Sequence, residues 1–402
     1  MPNIHLVLPA PHPGQIEVLH SPARFKVLMC GRRWGKSLIS QVIGVKGCLK
    51  ARRIAYITPE FSLAKEFFKE VLDMLPDALV ASSNKSELTI EFITGGSIRF
   101  FSGEAMRSMR GLKFHTVIID EAAFITDLES AWTKVIRPTL TDYKGNALFI
   151  STPRGRNFFY TLYLKGLNKE NGFASFHYTS YDNPHVANSE IDDAKQSIPK
   201  EAFNQEYLAI ASANAGAVVD MDTIARNTAQ RMSFKPTVVY GIDVAKYTDY
   251  TVITGLDRYG HITYFERFQK NNALTKERVL ALPSGVMKVI DNTHGSLGDG
   301  IFESLVLEGC ENLIGFEFTA TSKPQLITEL ILDIEKDEVK FNKETADELS
   351  IFEYTYSSTG HIKYGNAPGG HDDTVIALAL ANRYRKLVPS NITNSYYIPD
   401  AA

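Results

Sequence analysis

The most constraining feature is a short apolar run, Phe25–Cys30 (FKVLMC), that stops at a glycine-containing turn, CGRRWGKS, and passes into a helical pattern over Ser37–Leu49. A strand that ends in such a turn and restarts as a helix is the opening of a βαβ unit. It points to a layered α/β fold with a parallel sheet. The rest of the first half agrees. Arg53–Ile57 (RIAYI), Thr116–Ile119 (TVII) and Ala147–Ile150 (ALFI) are nearly unbroken apolar runs. Such runs suit strands covered on both faces. Leu88–Phe92 and Ser97–Phe101 alternate around Gly95-Gly96, the pattern of a hairpin, and Leu63–Leu75 reads as a helix after Pro59.

Ser180–Met232 carries no strong strand signal, but has Pro184, Pro199 and the small-residue patch AIASANAGA. A new pattern begins at Thr237. TVVYGID is a strand, and Thr251–Leu256 and His261–Phe268 are two more joined through Asp257-Arg258-Tyr259-Gly260. A last helix starts near Asp372. Three early strands followed by alternating elements imply a mixed sheet. The expected organisation is a first domain over 1–205, a linker over 206–235, a second domain over 236–386 and a polar tail over 387–402. The 402 residues suit two or three domains of about 100–200 residues each.

Composition excludes several classes. Hydrophobic residues at 44% and charged residues at 22% are ordinary for a globular protein, so a collagen, a coiled coil or a wholly disordered chain is ruled out. No apolar run approaches the roughly 18 residues of a membrane span. The N-terminus lacks a basic region before its apolar stretch, which Pro9 interrupts, so a secretory signal is not expected. Cys30, Cys48 and Cys310 have neither disulfide nor metal-ligand spacing, which suits a reducing compartment. The net charge of −3 argues against a uniformly basic DNA coater, yet leaves room for a local basic groove.

The turn CGRRWGKS is close to the phosphate-loop pattern G-x-x-x-x-G-K-[ST]. Gly35, Lys36 and Ser37 match it, Cys30 stands at the first glycine position, and Gly31 comes one place late. Gly35 lets backbone approach phosphate, Lys36 reaches the β- and γ-phosphates, and Ser37 offers a hydroxyl to Mg²⁺. The plain alternative is a glycine turn with a surface lysine. The second signal is HTVIIDEAA, an acid pair at the end of a buried strand. Asp120 is the candidate metal acid and Glu121 the candidate that polarises an attacking water. A helix N-cap acid is the plain alternative. In ALFISTPRG, Ser151 and Thr152 end a strand where they could sense the γ-phosphate. Gln15, in PHPGQ, is a candidate for the adenine edge. Arg32 and Arg33, or Arg110 from outside the loop, are candidates to steady transition-state charge. Arg99, Arg107, Arg110 and Lys113 lie near one acid, Glu104, and could contact a phosphate backbone.

The second half carries separated carboxylates at element ends. Asp243 closes VVYGID, and Asp249 follows six residues later. Asp291 follows VMKVI, with Asp299 a weaker rival, and Asp372-Asp373 open the last helix. Carboxylates from distant segments suit a pair of Mg²⁺ or Mn²⁺ ions in phosphodiester cleavage. Turn-forming and helix-capping roles remain open for each.

The series HPGQ, CGRRWGKS, VIIDEAA, FISTPRG, EYL, GIDVAKYTDYTVI, TSKPQLI and GGHDDTVIALALA, in that order from about Pro11 to Ala381, resembles the large terminase subunit of tailed bacteriophages. The resemblance implies a RecA-like, additional-strand phosphate-loop ATPase domain followed by a ribonuclease H-like nuclease domain. It implies ATP-driven movement of double-stranded DNA into a procapsid, and endonucleolytic cutting of concatemers. By position, Lys36 and Ser37 bind phosphate and Mg²⁺, Asp120 is the metal acid, Glu121 the catalytic acid, and Ser151-Thr152-Pro153 the coupling motif. Asp243, Asp291 and Asp373 become nuclease metal ligands, with Asp372 and Asp249 as competitors. The implied partners are a portal protein, a small terminase subunit and further copies in a ring, in the host cytoplasm and without a membrane. A helicase-like or repair ATPase fused to a nuclease, and a nucleotide-gated scaffold with relic acids, are the competing readings.

Overall fold

The computed structural model describes residues 4–170, 172–212, 217–244, 250–269, 272–356, 362–366 and 371–388. The chain divides into two compact units: 1–196 with 202–215, and 197–201 with 216–402. The stretch expected as a linker therefore splits. Its first part belongs to the first unit. Its later part contributes a helix, Met221–Asn227, capped by the Asp220 carboxylate on Thr223 N, to the second.

The first unit is built on one eight-stranded sheet, in the order β3-β4-β5-β2-β6-β7-β1-β8. The strands are β1 Phe25–Cys30, β2 Arg53–Thr58, β3 Val80–Asn84, β4 Thr89–Phe92, β5 Ser97–Ser102, β6 Thr116–Asp120, β7 Asn146–Ser151 and β8 Phe173–Tyr178. From β5 to β8 neighbouring strands run parallel, while β3 and β4 add an antiparallel edge. β7 stands between β1 and β6, so three strand ends meet along one edge of the sheet. The apolar runs read from sequence are these central strands. Residues such as Val27, Ile57, Val117, Ile119 and Phe149 are buried on one face, and Ile54, Tyr56, Ile98 and Ile118 on the other. Helices Lys36–Cys48 and Phe61–Met74 start one or two residues before their expected positions.

The second unit has a five-stranded mixed sheet in the order β11-β10-β9-β12-β13. Its strands are β9 Val239–Asp243, β10 Tyr250–Leu256, β11 Ile262–Gln269, β12 Met287–Asp291 and β13 Leu313–Phe316. β9, β10 and β11 are antiparallel, whereas β9, β12 and β13 are parallel. A two-stranded ribbon, β14 Phe352–Tyr356 with β15 Ile362–Asn366, lies apart from this sheet. The last helix, Asp373–Arg385, is buried along most of its length and packs on β9 and β10. Gly241 makes that possible: a Cβ there would lie 2.0 Å from the Ala377 carbonyl oxygen. Among the described residues no helix is long and apolar enough to cross a membrane.

Candidate functional site

The phosphate loop joins β1 to helix Lys36–Cys48. Its turn uses positive φ at Arg33 (60°) and Gly35 (95°). Gly35 occupies a left-handed conformation that glycine adopts without steric cost. Gly31 is needed for close approach, since a Cβ there would sit 2.3 Å from the Tyr207 carbonyl oxygen. Four successive carbonyls are held from other elements. Ser180 Oγ donates to Arg32 O at 2.7 Å and Asn183 Nδ2 to Arg33 O at 2.6 Å. The His12 ring meets Trp34 O at 2.9 Å, and Gln15 Nε2 donates to Gly35 O at 3.0 Å. The buried Trp34 indole stacks on Tyr178, with centroids 4.8 Å apart. A loop braced this way at a helix start is preorganised for an anion.

Cys30 closes β1 with a buried thiol, packed with Val18, Leu28 and Ile39. Burial pushes that thiol well above its usual range, so it stays neutral. It does not adopt positive φ, which is why a cysteine serves where the pattern has glycine. Lys36 is buried and folds back on the loop, its Nζ 3.2 Å from Gly31 O. Gln15 is buried too. Its Oε1 accepts from His12 N and its Nε2 is turned to Gly35, so the amide expected at an adenine edge braces the loop from behind. Arg32 pairs through Nε with the buried Glu206 carboxylate at 2.6 Å, and Arg33 lies at the surface.

Across the sheet edge, Asp120 ends β6 fully buried. Its Oδ2 accepts from Tyr56 Oη at 2.6 Å, its Oδ1 accepts from Glu121 N at 3.0 Å, and the Ser37 hydroxyl also bonds to it. Tyr56 Oη is in turn 2.6 Å from Ser40 Oγ. Burial raises the Asp120 carboxyl, opposed by the Tyr56 hydrogen bond and the Lys36 charge. Glu121 sits at φ 49°, a left-handed conformation costly for a residue with a side chain and found at functional sites. Burial raises its carboxyl, Lys36 pulls it down, and Asp120 and Glu206 push it up. Ser151, at the end of β7, donates to Glu121 Oε2 at 3.2 Å and accepts from Ala123 N. Ser151 and Thr152 are both buried.

The basic group behaves differently from its sequence expectation. Arg99 pairs with Glu87 and Lys113 with Asp142, acids brought in by folding. Arg107 and Arg110 remain together, lining a cavity of about 420 Å³ with Lys134, Glu104 and Asp127.

In the second unit β9 and β12 run parallel with Ile242 opposite Ile290, so Asp243 and Asp291 end adjacent strands on the same edge. The Gly241–Ala377 contact brings the last helix against β9 close by, with Asp373 one turn before Ala377. Burial first, then Asp373 and Asp372, raise the Asp243 carboxyl far above its ordinary range. Lys323 pulls it down and Asp291 adds to the rise. Asp373 is buried and accepts from Tyr250 N at 3.1 Å, whereas Asp372 pairs with Lys323 Nζ at 3.1 Å. Asp291 accepts from Thr293 N and Oγ1. Asp299 accepts from Gly295 N and lies against His294. Asp249 lies outside the described residues. Sequence reasoning missed Tyr56, Glu206, Ser180, Asn183 and Lys323. Glu206 and Lys323 left a trace, inside EYL and TSKPQLI, but with no role attached to either, and Tyr56 as a phenol within RIAYI.

Among the described residues no three His, Cys, Asp or Glu side chains are poised together to hold a metal ion. The donor chemistry nonetheless suits Mg²⁺, which keeps several waters and needs one or two carboxylates. Asp120 with Ser37 offers that set in the first unit, and the oxygen-only cluster at Asp243 offers it in the second.

Residues 27–226 match the family model of the N-terminal part of the terminase large subunit, T4-like-virus type. The chain is 29% identical over 431 residues to the terminase large subunit of Thermus virus P23-45, spanning 92% of this chain and 87% of that protein. By this match and this likeness the chain resembles the phage large terminase subunits. It is also 29% identical over 277 residues to the large subunit of Escherichia phage T5, across 65% of this chain and 63% of that one. The solved large terminase of a thermophilic bacteriophage shares the fold, with a TM-score of 0.50 at 16% identity over 92% of this chain and 98% of that chain.

Proposed function

We propose that this chain is a phage large terminase subunit that hydrolyses ATP to move double-stranded DNA into a procapsid, and cuts concatemeric DNA with its second unit. The observation that carries the reading is the convergence of Lys36, Ser37, Asp120, Glu121 and Ser151 at one sheet edge. Lys36 exchanges its loop carbonyls for the β- and γ-phosphates. Ser37 and Asp120 hold Mg²⁺, which when bound neutralises phosphate charge. Glu121 orients and deprotonates the attacking water. Ser151, bonded to Glu121, passes the state of that carboxylate to β7. Arg33, or Arg110 from a neighbouring copy in a ring, completes the charge clamp.

In the second unit Asp243, Asp291 and Asp373 hold Mg²⁺ or Mn²⁺, as a two-ion site that activates water and steadies the leaving oxygen. Asp372, paired with Lys323, stands beside them. The portal protein, procapsid and small terminase subunit are the partners of this reading, in the host cytoplasm. Glu121→Gln tests the ATPase half. Turnover should fall about 10²–10⁴-fold while a fluorescent ATP analogue still binds. Normal turnover in that variant would remove Glu121 from the chemistry.

A further inference from the structure

At the end of the first-unit sheet away from the phosphate loop lies a cavity of about 350 Å³, between the start of β1, β6 and β7 and the C-terminal end of helix Lys36–Cys48. Arg24, Lys26, Lys46, Lys50 and Arg52 line it, together with Asn146, and no Asp or Glu does. A chain with 46 acidic and 43 basic residues would be expected to supply acids to such a cluster. The basic group of Arg99 to Lys113 shows the contrast, since there Glu87 and Asp142 neutralise Arg99 and Lys113. Here Arg24 and Lys26 are tied to the backbone carbonyls of Gly145 and Val18, which fixes their charges at the wall. Lys46, Lys50 and Arg52 are exposed, and among the described residues none has a carboxylate partner. The field reaches the neighbouring His115, whose protonation is opposed by burial, Arg52 and Arg53. One lysine near the end of a helix complements its dipole. Five cations converging on a concave, acid-free wall exceed that need.

We propose that this cavity binds phosphate groups of the DNA backbone, an inference that rests on the DNA-motor reading above. The lining chemistry selects this ligand class. No aromatic side chain lines the cavity, so a base has nothing to stack on. The lysine and arginine cations supply donors and charge for phosphate oxyanions, and contacts to phosphate carry no sequence information, as a sequence-independent grip requires. The cavity gives the first unit a phosphate contact separate from the ATP loop and from the Arg107–Arg110 cavity.

The test is binding of a labelled 30-base-pair duplex to the full chain in EDTA, across a salt series, with Lys46→Gln/Lys50→Gln/Arg52→Gln beside wild type. A triple variant of equal charge, Lys65→Gln/Lys69→Gln/Lys85→Gln, controls for net charge. The cavity variant should lose at least about tenfold in affinity at low salt, and its log K against log [salt] slope should shrink by about 2–3. Its melting midpoint and basal ATP turnover should match wild type. Equal affinity and slope in the two triple variants would overturn the proposal. Tripolyphosphate that binds wild type but not the cavity variant, with DNA affinity unchanged, would assign the cavity to free polyphosphate and overturn the DNA assignment. Absence of any DNA binding by wild type would overturn the motor reading and this inference together, whereas a loss confined to the cavity variant supports both.

Discussion

Tyr56 illustrates how much of this site is set by single buried atoms. Its hydroxyl is fully buried, donates to Asp120 and meets Ser40, while Ser40 bonds back to the Ser37 carbonyl at the start of the loop helix. The chain Ser37–Ser40–Tyr56–Asp120 therefore ties the backbone of the serine proposed for Mg²⁺ to the carboxylate proposed for the same ion. Tyr56→Phe removes one hydrogen bond to a buried carboxylate, worth about 1.5–3 kcal/mol. The Mg²⁺ concentration for half-maximal ATP turnover should rise severalfold, while the ATP analogue still binds. An unchanged metal dependence would show that Tyr56 serves packing alone. The phosphate loop and acid pair were legible in sequence because their chemistry requires particular residues at fixed spacing. Tyr56, Glu206, Ser180 and Asn183 were not. Their partners lie far away in sequence, and a serine, asparagine or glutamate at the end of a helix or turn carries no mark of what it will touch.

Between elements, the informative contact is β9 against the last helix. Both were readable, β9 from TVVYGID and the helix from HDDTVIALALANRYR, but their approach depends on Gly241 lacking a side chain. In Gly241→Ala the new methyl would lie 2.0 Å from the Ala377 carbonyl oxygen and 2.6 Å from Ala381 N, so the helix must move. Overpacking of this kind costs about 1–3 kcal/mol. Calorimetry should show a lowered melting transition for the second unit, and DNA cutting should fall, with ATP turnover unchanged. A wild-type transition would mean that the contact is not tight in solution. Strands β3 and β8 escaped sequence reading for a related reason. β3 (VASSN) is polar and largely exposed, and β8 (FASFHY) is an edge strand that is mostly half-buried, so neither shows an apolar run or clean alternation. Their pairing with β4 and β1 is supplied by the sheet.

At the scale of the whole chain, two units each gather oxygen-bearing side chains at the end of a sheet, by different topologies. The first does so with a braced loop and an acid pair. The second presents carboxylates from two parallel strands and a helix start. The family was legible because these groups occur in one order along the chain. The division of the linker and the pairing of Arg99 and Lys113 were not, since both depend on which distant segments fold against them. Separate sites should fail separately. The most direct measurement is cleavage of supercoiled plasmid with Mn²⁺, Mg²⁺ or EDTA, using wild type and Asp243→Asn, with ATP turnover followed on the same preparations. Metal-dependent cutting that disappears in Asp243→Asn, with ATP turnover intact, is the predicted result. Cutting that persists in the variant, or ATP turnover that falls with it, would contradict an account in which two independent sites share one chain.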